Sequence, residues 1–354
     1  MLAPTRAIPS RKKLNRKVTG IYIVLAVFNL AAWIWAFAAF RANPLLLSTG
    51  LLAYGFGLRH AVDADHIAAI DNVTRKLMQE GQRPVTVGFF FALGHSIVVL
   101  LVAVAIAATT ATLESRFEAW KAWGSVISTG VSATFLFLIA AMNIVILRGV
   151  WLGFSKVRRR ETFNHDDLDL LLNNRGLLAR LFRPMFRLVS KPMWMLPMGF
   201  LFGLGFDTAT EISLLGISAH QAALGESIWL ILVFPVLFAA GMSLVDTTDG
   251  VLMLGAYDWA FVRPIRKLYY NLTITLVSVI VAVLIGGIET LGLISDRLNL
   301  TGGLWDAIGK LNGNFNSLGF LIVGVFIVAW VVSFLIYRAK GYDDLPGQSA
   351  EIEG

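Results

Sequence analysis

Long apolar stretches alternate with short polar segments along most of the chain. Eight stretches reach the roughly 20 residues that a helix needs to cross the hydrocarbon core of a bilayer. They lie near residues 20–40, 45–70, 86–110, 124–150, 193–218, 227–255, 271–295 and 316–337. In hydrocarbon the backbone polar groups must be hydrogen-bonded within the protein, which favours helices. The pattern therefore predicts an all-α, polytopic membrane protein with eight transmembrane helices.

The polar segments divide the chain into three parts. A basic N-terminus at 1–19 precedes an eight-span domain at 20–338, which contains one longer loop at 151–192, and a tail follows at 339–354. The apolar run at 20–40 is too long for the central region of a signal peptide and lacks a small-residue cleavage site. We therefore interpret it as the first span.

The composition supports the membrane class. Hydrophobic residues make up 56% of the chain and charged residues 15%, whereas soluble domains carry roughly 25% charged residues. There is no cysteine, which excludes disulfides and thiolate ligands. The formal net charge of +7 comes from basic residues in the loops beside the spans, so it indicates orientation in a lipid membrane and not binding to nucleic acid.

The lysines and arginines are distributed unevenly between alternate loops. Most of them fall in the N-terminus, in 71–85, 148–192 and 256–270, and in the C-terminal tail. The other side holds only Arg41, Arg116, Lys121, Arg297 and Lys310. Because basic loops remain in the cytoplasm, both termini are expected to be cytoplasmic, in a multi-pass protein of the cytoplasmic (inner) membrane.

Ionisable residues are concentrated in four of the predicted spans. Such residues are costly in lipid and usually face a cavity that has a function. The metal-ligand candidates are His60, Asp63, Asp65 and His66 in span two and His95 in span three. Candidates for a transport path are Asp207 and Glu211 in span five and Asp246 and Asp249 in span six.

The spacing in span two restricts how the cluster is arranged. At about 100° per residue, His60, Asp63 and His66 share one arc of roughly 120° on a helix, and Asp65 lies off that arc. Either Asp65 serves a neighbouring helix, or the helix unwinds so that all four side chains converge. Gly55 and Gly57 would permit such a break, and broken helices form midplane ion sites in transporters.

A metal cation explains the span-two cluster better than a structural ion pair does. Two imidazoles and two carboxylates within seven residues cannot all be neutralised by Arg59. Imidazole and carboxylate ligands without sulfur suit divalent nickel, cobalt, zinc or iron. For the scattered Asp207 or Asp249 alone, a structural ion pair is an equally good interpretation.

Transport is favoured over the two alternatives. A membrane metal-dependent enzyme of the di-iron type needs more than three intramembrane histidines, and the His-Glu-x-x-His pattern of zinc proteases is absent. A metal-sensing receptor would need an output domain, and none is recognisable. The chain has no nucleotide-binding Gly-rich loop, so it does not itself hydrolyse ATP by that route. We expect a transporter and not an enzyme, with no ATPase subunit required by the sequence. The membrane potential alone and proton coupling both remain open as driving forces.

Two sequence segments suggest an internal repeat. Residues 91–98 resemble 238–245 at an offset of 147, and residues 56–58 are echoed by 202–204 at an offset of 146. Spans 2–4 and 5–7 would then form an inverted repeat, because three spans reverse the topology. The repeat would place His95 opposite Met242 and the span-two cluster opposite Asp207 and Glu211.

Four segments carry a family resemblance. They are 59–67 in span two, 90–96 in span three, 204–211 in span five and 241–249 in span six. With these the chain, from about 20 to 338, resembles the nickel/cobalt transporter family (NiCoT), and more closely its HoxN-type nickel permeases. The resemblance implies secondary, high-affinity uptake of nickel and sometimes cobalt, as cargo and not as a cofactor. It assigns functional positions to His60, Asp65 and His66.

Overall fold

The computed structural model describes residues 11–108, 114–158, 189–205, 208–260 and 264–340. Within these ranges it is helical, without a strand. The helices are α1 Arg11–Phe40, α2 Pro44–His60, α3 Ala64–Gln79, α4 Val87–Ala108, α5 Glu114–Arg158, α6 Met195–Phe202, α7 Ala209–Ala223, α8 Ile228–Ile231, α9 Val233–Ala260, α10 Pro264–Leu298, α11 Gly303–Asn312 and α12 Phe315–Ala339. Asp207, most of the predicted loop 151–192, and the ends at 1–10 and 341–354 lie outside the described residues.

The predicted all-α, multi-span architecture is confirmed. Six helical segments in the described part of the chain are long and apolar enough to span a membrane, and the bent pair of α2 and α3 makes up to seven. The predicted span 193–218 is divided between α6 and α7, which have 8 and 15 residues. The count of eight therefore stays a prediction.

The second span is broken beside the predicted cluster. Helix α2 ends at His60, α3 begins at Ala64, and the two helices are bent by 52°. Asp63 is the N-cap of α3 with an extended backbone, which suits an aspartate at a helix start. Gly319 of α12 packs against the break: a Cβ there would lie 1.6 Å from the carbonyl oxygen of Val62. The chain therefore unwinds at 61–63.

The two glycines expected to permit the break lie elsewhere. Helix α2 runs without interruption through Gly55 and Gly57. Gly57 instead allows close helix packing, because a Cβ on it would lie 2.0 Å from the carbonyl oxygen of Phe238 in α9.

Helix α3 continues beyond the predicted span. The segment 71–85, expected between two spans on the cytoplasmic side, is not a loop over 71–78, because these residues form buried helix. Arg75 and Lys76 are only 1% and 2% exposed. Arg75 donates a hydrogen bond of 2.9 Å to Asn72, and Lys76 donates to the carbonyl of Val189. Lys76 Nζ also lies 3.3 Å from Glu80 Oε1, whereas Nε and Nη1 of Arg75 are buried without a hydrogen-bond partner among the described residues.

A polar network surrounds this part of α3. Asp71 accepts hydrogen bonds from Tyr257 of α9 and from Ser278 of α10, the latter at 2.9 Å. Asn143 of α5 donates to Asn72 at 2.8 Å. Four helices are therefore joined by side-chain hydrogen bonds, about 7 Å along α3 from His66.

Helices α4 and α9 assemble the interior of the protein. Helix α9 packs along α1, α2, α3 and α4, and α4 packs along α6 and α7. Both bring fully buried phenylalanines to the span-two break: the Phe91 ring meets His66 edge-on at 4.7 Å, and the Phe238 ring lies 5.5 Å from that of His60. These two rings form an apolar wall on either side of the break.

Candidate metal site

Three histidines converge at the break between α2 and α3. His60 ends α2, His66 lies in the first turn of α3, and His95 comes from the middle of α4; each is at most 2% exposed. Their ring centroids lie 4.7 to 5.0 Å apart. One nitrogen of each ring lies within 4.8 Å of the other two.

Two of the histidines each lie against a carboxylate. His60 Nδ1 donates to Asp63 Oδ2 at 2.8 Å, and His66 Nδ1 donates to Asp246 Oδ1 of α9 at 3.3 Å. A carboxylate on Nδ1 fixes the ring and its tautomer, so that the lone pair is on Nε2. Both rings therefore present Nε2 as a ligand atom.

The third histidine is paired with Glu211 at the start of α7. His95 Nε2 lies 2.9 Å from Glu211 Oε1 and 3.1 Å from His60 Nε2. The glutamate is held by Thr208, the N-cap of α7, whose hydroxyl donates to Glu211 Oε2 at 2.9 Å and accepts from its backbone N–H. Thr208 and Glu211 have the spacing of a capping box, which explains how the sequence brings a carboxylate to this point.

The spacing of the nitrogens suits a divalent transition metal. Two nitrogens bound at about 2.1 Å to one ion at 90–110° lie roughly 3.0–3.4 Å apart, and His60 Nε2 and His95 Nε2 already have this separation. His66 Nε2 is buried without a hydrogen-bond partner among the described residues. Buried polar groups are normally satisfied, so this unsatisfied imidazole nitrogen indicates a ligand atom. If His95 binds through Nε2, its Nδ1 carries the proton.

The histidine cluster opens into a cavity of about 140 Å³. Its inner end contains His60 and His95, and Arg59 is the basic residue that lines it. Its remaining charged or polar lining includes Asp63, Asp65, Thr208, Thr210, Glu211, Ser128, Thr129, Ser132, Glu289, Asn312, Asn314 and Ser317. The cavity is therefore a route from the histidines towards one surface, lined with oxygen ligands.

The predicted residues fall into three groups. The structure brings His60, Asp63, His66, His95, Glu211 and Asp246 together. Asp65 lines the cavity but bonds the backbone N–H of His66 at 2.9 Å, so it lies beside the three histidines and not among them. Asp249 lies farther along α9, and Asp207 is not among the described residues.

Three residues near the site were missed by the sequence reasoning. Thr208 has a recognisable signal, the capping-box spacing to Glu211. Glu289 is a carboxylate inside the predicted span 271–295, so the criterion that found the other acidic residues applies to it as well. Ser132 is one of many small polar residues in the spans, and only the tertiary structure distinguishes it.

Replacing Glu211 by glutamine tests the pairing with His95. The amide keeps the size of the side chain but removes the charge that favours a cation beside His95. We expect nickel affinity to fall about 10- to 100-fold, as for other residues that orient a metal-binding histidine. Equilibrium nickel binding to the purified protein measures this; affinity unchanged from wild type would contradict the role of Glu211. The exposed Glu226→Gln variant is the control.

Together these features define a helical, multi-span membrane protein with a buried cluster of imidazoles and carboxylates, whose ligand chemistry suits a divalent transition metal. The chain matches the family described as high-affinity nickel-transport protein over residues 46–336. It is 58% identical over 328 residues to the high-affinity nickel transport protein of Cupriavidus necator, covering 93% of both chains. No solved structure matches it.

Two more distant relatives are named for different cargoes. The nickel transporter NicT of Mycobacterium tuberculosis is 43% identical over 345 residues, covering 92% of both chains. The cobalt transport protein NhlF of Rhodococcus rhodochrous is 38% identical over 330 residues, covering 91% of this chain and 92% of its own. The chain belongs to the NicO family of high-affinity nickel-transport proteins, which confirms the resemblance carried by the four sequence segments.

Proposed function

We propose that this protein takes up Ni²⁺ with high affinity across the cytoplasmic membrane and binds the ion at His60, His66 and His95. The observation that carries the proposal is the convergence of three buried imidazoles, each paired with a carboxylate, in a member of a nickel-transport family. Co²⁺ has a similar ligand preference and is the second cargo to test.

The family argues against the enzyme alternative. It consists of transporters, and the described carboxylates at the histidines orient rings and balance charge. The cavity leads an ion to the site, as a transport route requires.

The orientation that we propose has both termini in the cytoplasm. The cavity is lined by the turn between α11 and α12, by the first half of α5 and by the second half of α10. With cytoplasmic termini all three regions lie towards the outer face of the membrane. The cavity would then be the route by which an external ion reaches the histidines.

We infer that the inward path continues along α3 and α9. Asp246 contacts His66, and Asp249 follows it by three residues, on the same side of α9. Asp249 lies close enough to Asp246 and Asp71 for their charges to interact, and its Oδ2 has no hydrogen-bond partner among the described residues. The network of Asp71 with Tyr257 then separates the site from the inner side.

Reciprocal glycine contacts support the inverted repeat as a proposal. Gly241 of α9 packs on the α2 backbone, with 2.7 Å between its Cβ position and the oxygen of Tyr54. Gly94 of α4 packs on the α6 backbone in the same way, with 1.9 Å to the oxygen of Leu196. In the opposite direction, Gly57 of α2 packs on the α9 backbone and Gly199 of α6 packs on the α4 backbone. The packing therefore makes Gly199 the counterpart of Gly57, whereas the sequence offset had aligned Gly57 with Gly203. Two similarly packed pairs suit a rocking motion around a central site.

The membrane potential is a sufficient driving force for uptake. An interior-negative potential of 100 mV favours an entering divalent ion by about 4.6 kcal/mol, a thousandfold accumulation in order of magnitude. We therefore propose uptake without an ATPase subunit.

Uptake of nickel-63 tests the proposed function. Cells that express the protein should accumulate nickel at nanomolar external concentration, and excess unlabelled Co²⁺ should compete more weakly than excess Ni²⁺. A protonophore added at clamped potential distinguishes proton coupling from electrical drive alone. Accumulation equal to that of cells with an empty vector, despite normal insertion, would refute the proposal.

A further inference from the structure

We propose that Glu289 of α10, held in place by Ser132 of α5, provides the carboxylate of a second cation-binding position in the outer part of the cavity, ahead of the histidines. This inference rests on the proposed function, because it adds a second binding position to the same transport route. Neither residue belongs to the four family segments.

The geometry places a carboxylate in the wall of the cavity. Glu289 is 5% exposed and accepts a hydrogen bond of 2.8 Å from the Ser132 hydroxyl, which joins α10 to α5. Both residues line the cavity that contains His60 and His95. Glu289 lies nine residues before the end of α10, about 13 Å below that end of the helix.

A purely structural role does not require a charged residue here. Serine could donate to a backbone carbonyl or to an amide and join the two helices equally well. A carboxylate inside a span is expensive, and it is usually retained where it faces a water-filled route and acts on a cation. Glu289 lines the cavity that contains His60 and His95.

The ligand chemistry differs between the two ends of the cavity. Glu289 bonds the Ser132 hydroxyl, and the amide of Asn312 lies against Gly292, one turn farther along α10, so this part of the lining offers oxygen ligands. Oxygen ligands of this type suit a divalent ion that keeps part of its water shell. The imidazole nitrogens at the inner end bind nickel more strongly. An ion would lose water in steps as it moves inward.

The charged residues that line the cavity also favour two binding positions. Arg59 lines the cavity and opposes an incoming cation, while Asp63, Asp65, Glu211 and Glu289 attract it. Conduction needs sites that bind an ion well enough to admit it and weakly enough to release it. An oxygen-lined binding position outside a nitrogen-lined site meets both requirements.

The test compares Glu289→Gln with wild type in nickel-63 uptake. The amide keeps an acceptor for Ser132 and removes only the charge. We expect KM for Ni²⁺ to rise about fivefold or more, with Vmax within about twofold, because capture weakens while the histidine site is intact. Nickel titration of the purified protein should retain the tight equivalent and lose a weaker second one.

The matched control is Asp296→Asn, an exposed carboxylate two turns farther along α10 that does not line the cavity. It should leave KM unchanged. A wild-type KM in Glu289→Gln with two nickel equivalents retained would overturn the inference while leaving the proposed function standing. If wild type itself showed no more nickel uptake than cells with an empty vector, the proposed function would be refuted instead.

A folding defect is distinguished by Ser132→Ala. This variant breaks the link between α5 and α10 and keeps the charge of Glu289. If Glu289 acts only as a helix link, both variants should lower Vmax and the amount of folded protein equally, and the inference fails. If Glu289 acts on the cation, Glu289→Gln should raise KM about fivefold or more, and Ser132→Ala should not. Mg²⁺ prefers oxygen ligands, so competing Mg²⁺ should also raise the KM of Glu289→Gln less than that of wild type.

Discussion

Replacing His60 by alanine is expected to abolish high-affinity nickel uptake, with a loss of at least about 100-fold at nanomolar nickel, because a ligand matters more than the groups that orient it. His60 presents Nε2 to the shared space and lies 3.1 Å from His95 Nε2. Its removal also leaves Asp63 as a buried carboxylate without its imidazole partner. Uptake of nickel-63 per inserted molecule is the measurement.

His220→Ala is the matched control for this experiment. His220 lies on α7 and is exposed, away from the cluster. It should transport like wild type. If His60→Ala inserted normally and kept nanomolar uptake, the three-histidine site would be wrong even though the family assignment would stand. Nickel titration of the purified variant adds a readout independent of transport, since the tight equivalent should disappear.

Replacing Gly57 by alanine is expected to destabilise the protein strongly, although it adds only one methyl group. The new Cβ would lie 2.0 Å from the carbonyl oxygen of Phe238, a backbone atom that cannot rotate away. Helices α2 and α9 would have to separate, at a cost above the roughly 1–3 kcal/mol of ordinary overpacking. We expect a large fall in the amount of folded protein and in the melting temperature measured in detergent.

Gly55→Ala is the control, two residues earlier on the same helix. Nothing lies within 4 Å of its Cβ position, and the residue is exposed. Alanine there should be neutral or slightly stabilising in a helix. Equal melting temperatures for the two variants would contradict the close packing of α2 on α9.

The sequence identified most of the site because buried charge is expensive wherever it occurs. His60, His66 and His95 stood out as titratable groups in apolar stretches, and that criterion needs no coordinates. The pairing of His66 with Asp246, 180 residues apart, could not be read from spacing, because it depends on how α3 meets α9. The spacing already placed Asp65 off the arc of the other three residues, and the structure adds that the unwinding of span two does not bring its carboxylate among the histidines.

The helix boundaries were predicted least accurately from the sequence. A polar segment such as 71–78 is normally a loop when exposed to water, but here Asp71 finds Tyr257 and Ser278, so the helix continues into a buried network. The location of the break also depended on a distant contact. Gly319 of α12 lets the backbone at Val62 approach closely, whereas the local sequence pointed to Gly55 and Gly57.

The sequence alone determined that the protein is helical and multi-span, that it carries imidazole and carboxylate ligands in its spans, and that it is a relative of nickel transporters. These properties depend on hydrophobicity and on residue type, which are local. Only the tertiary structure decided which ligands meet, where span two breaks, and that Glu289 faces the same cavity as the histidines. Those properties depend on helix packing, which joins residues far apart in the chain through close contacts and directional hydrogen bonds.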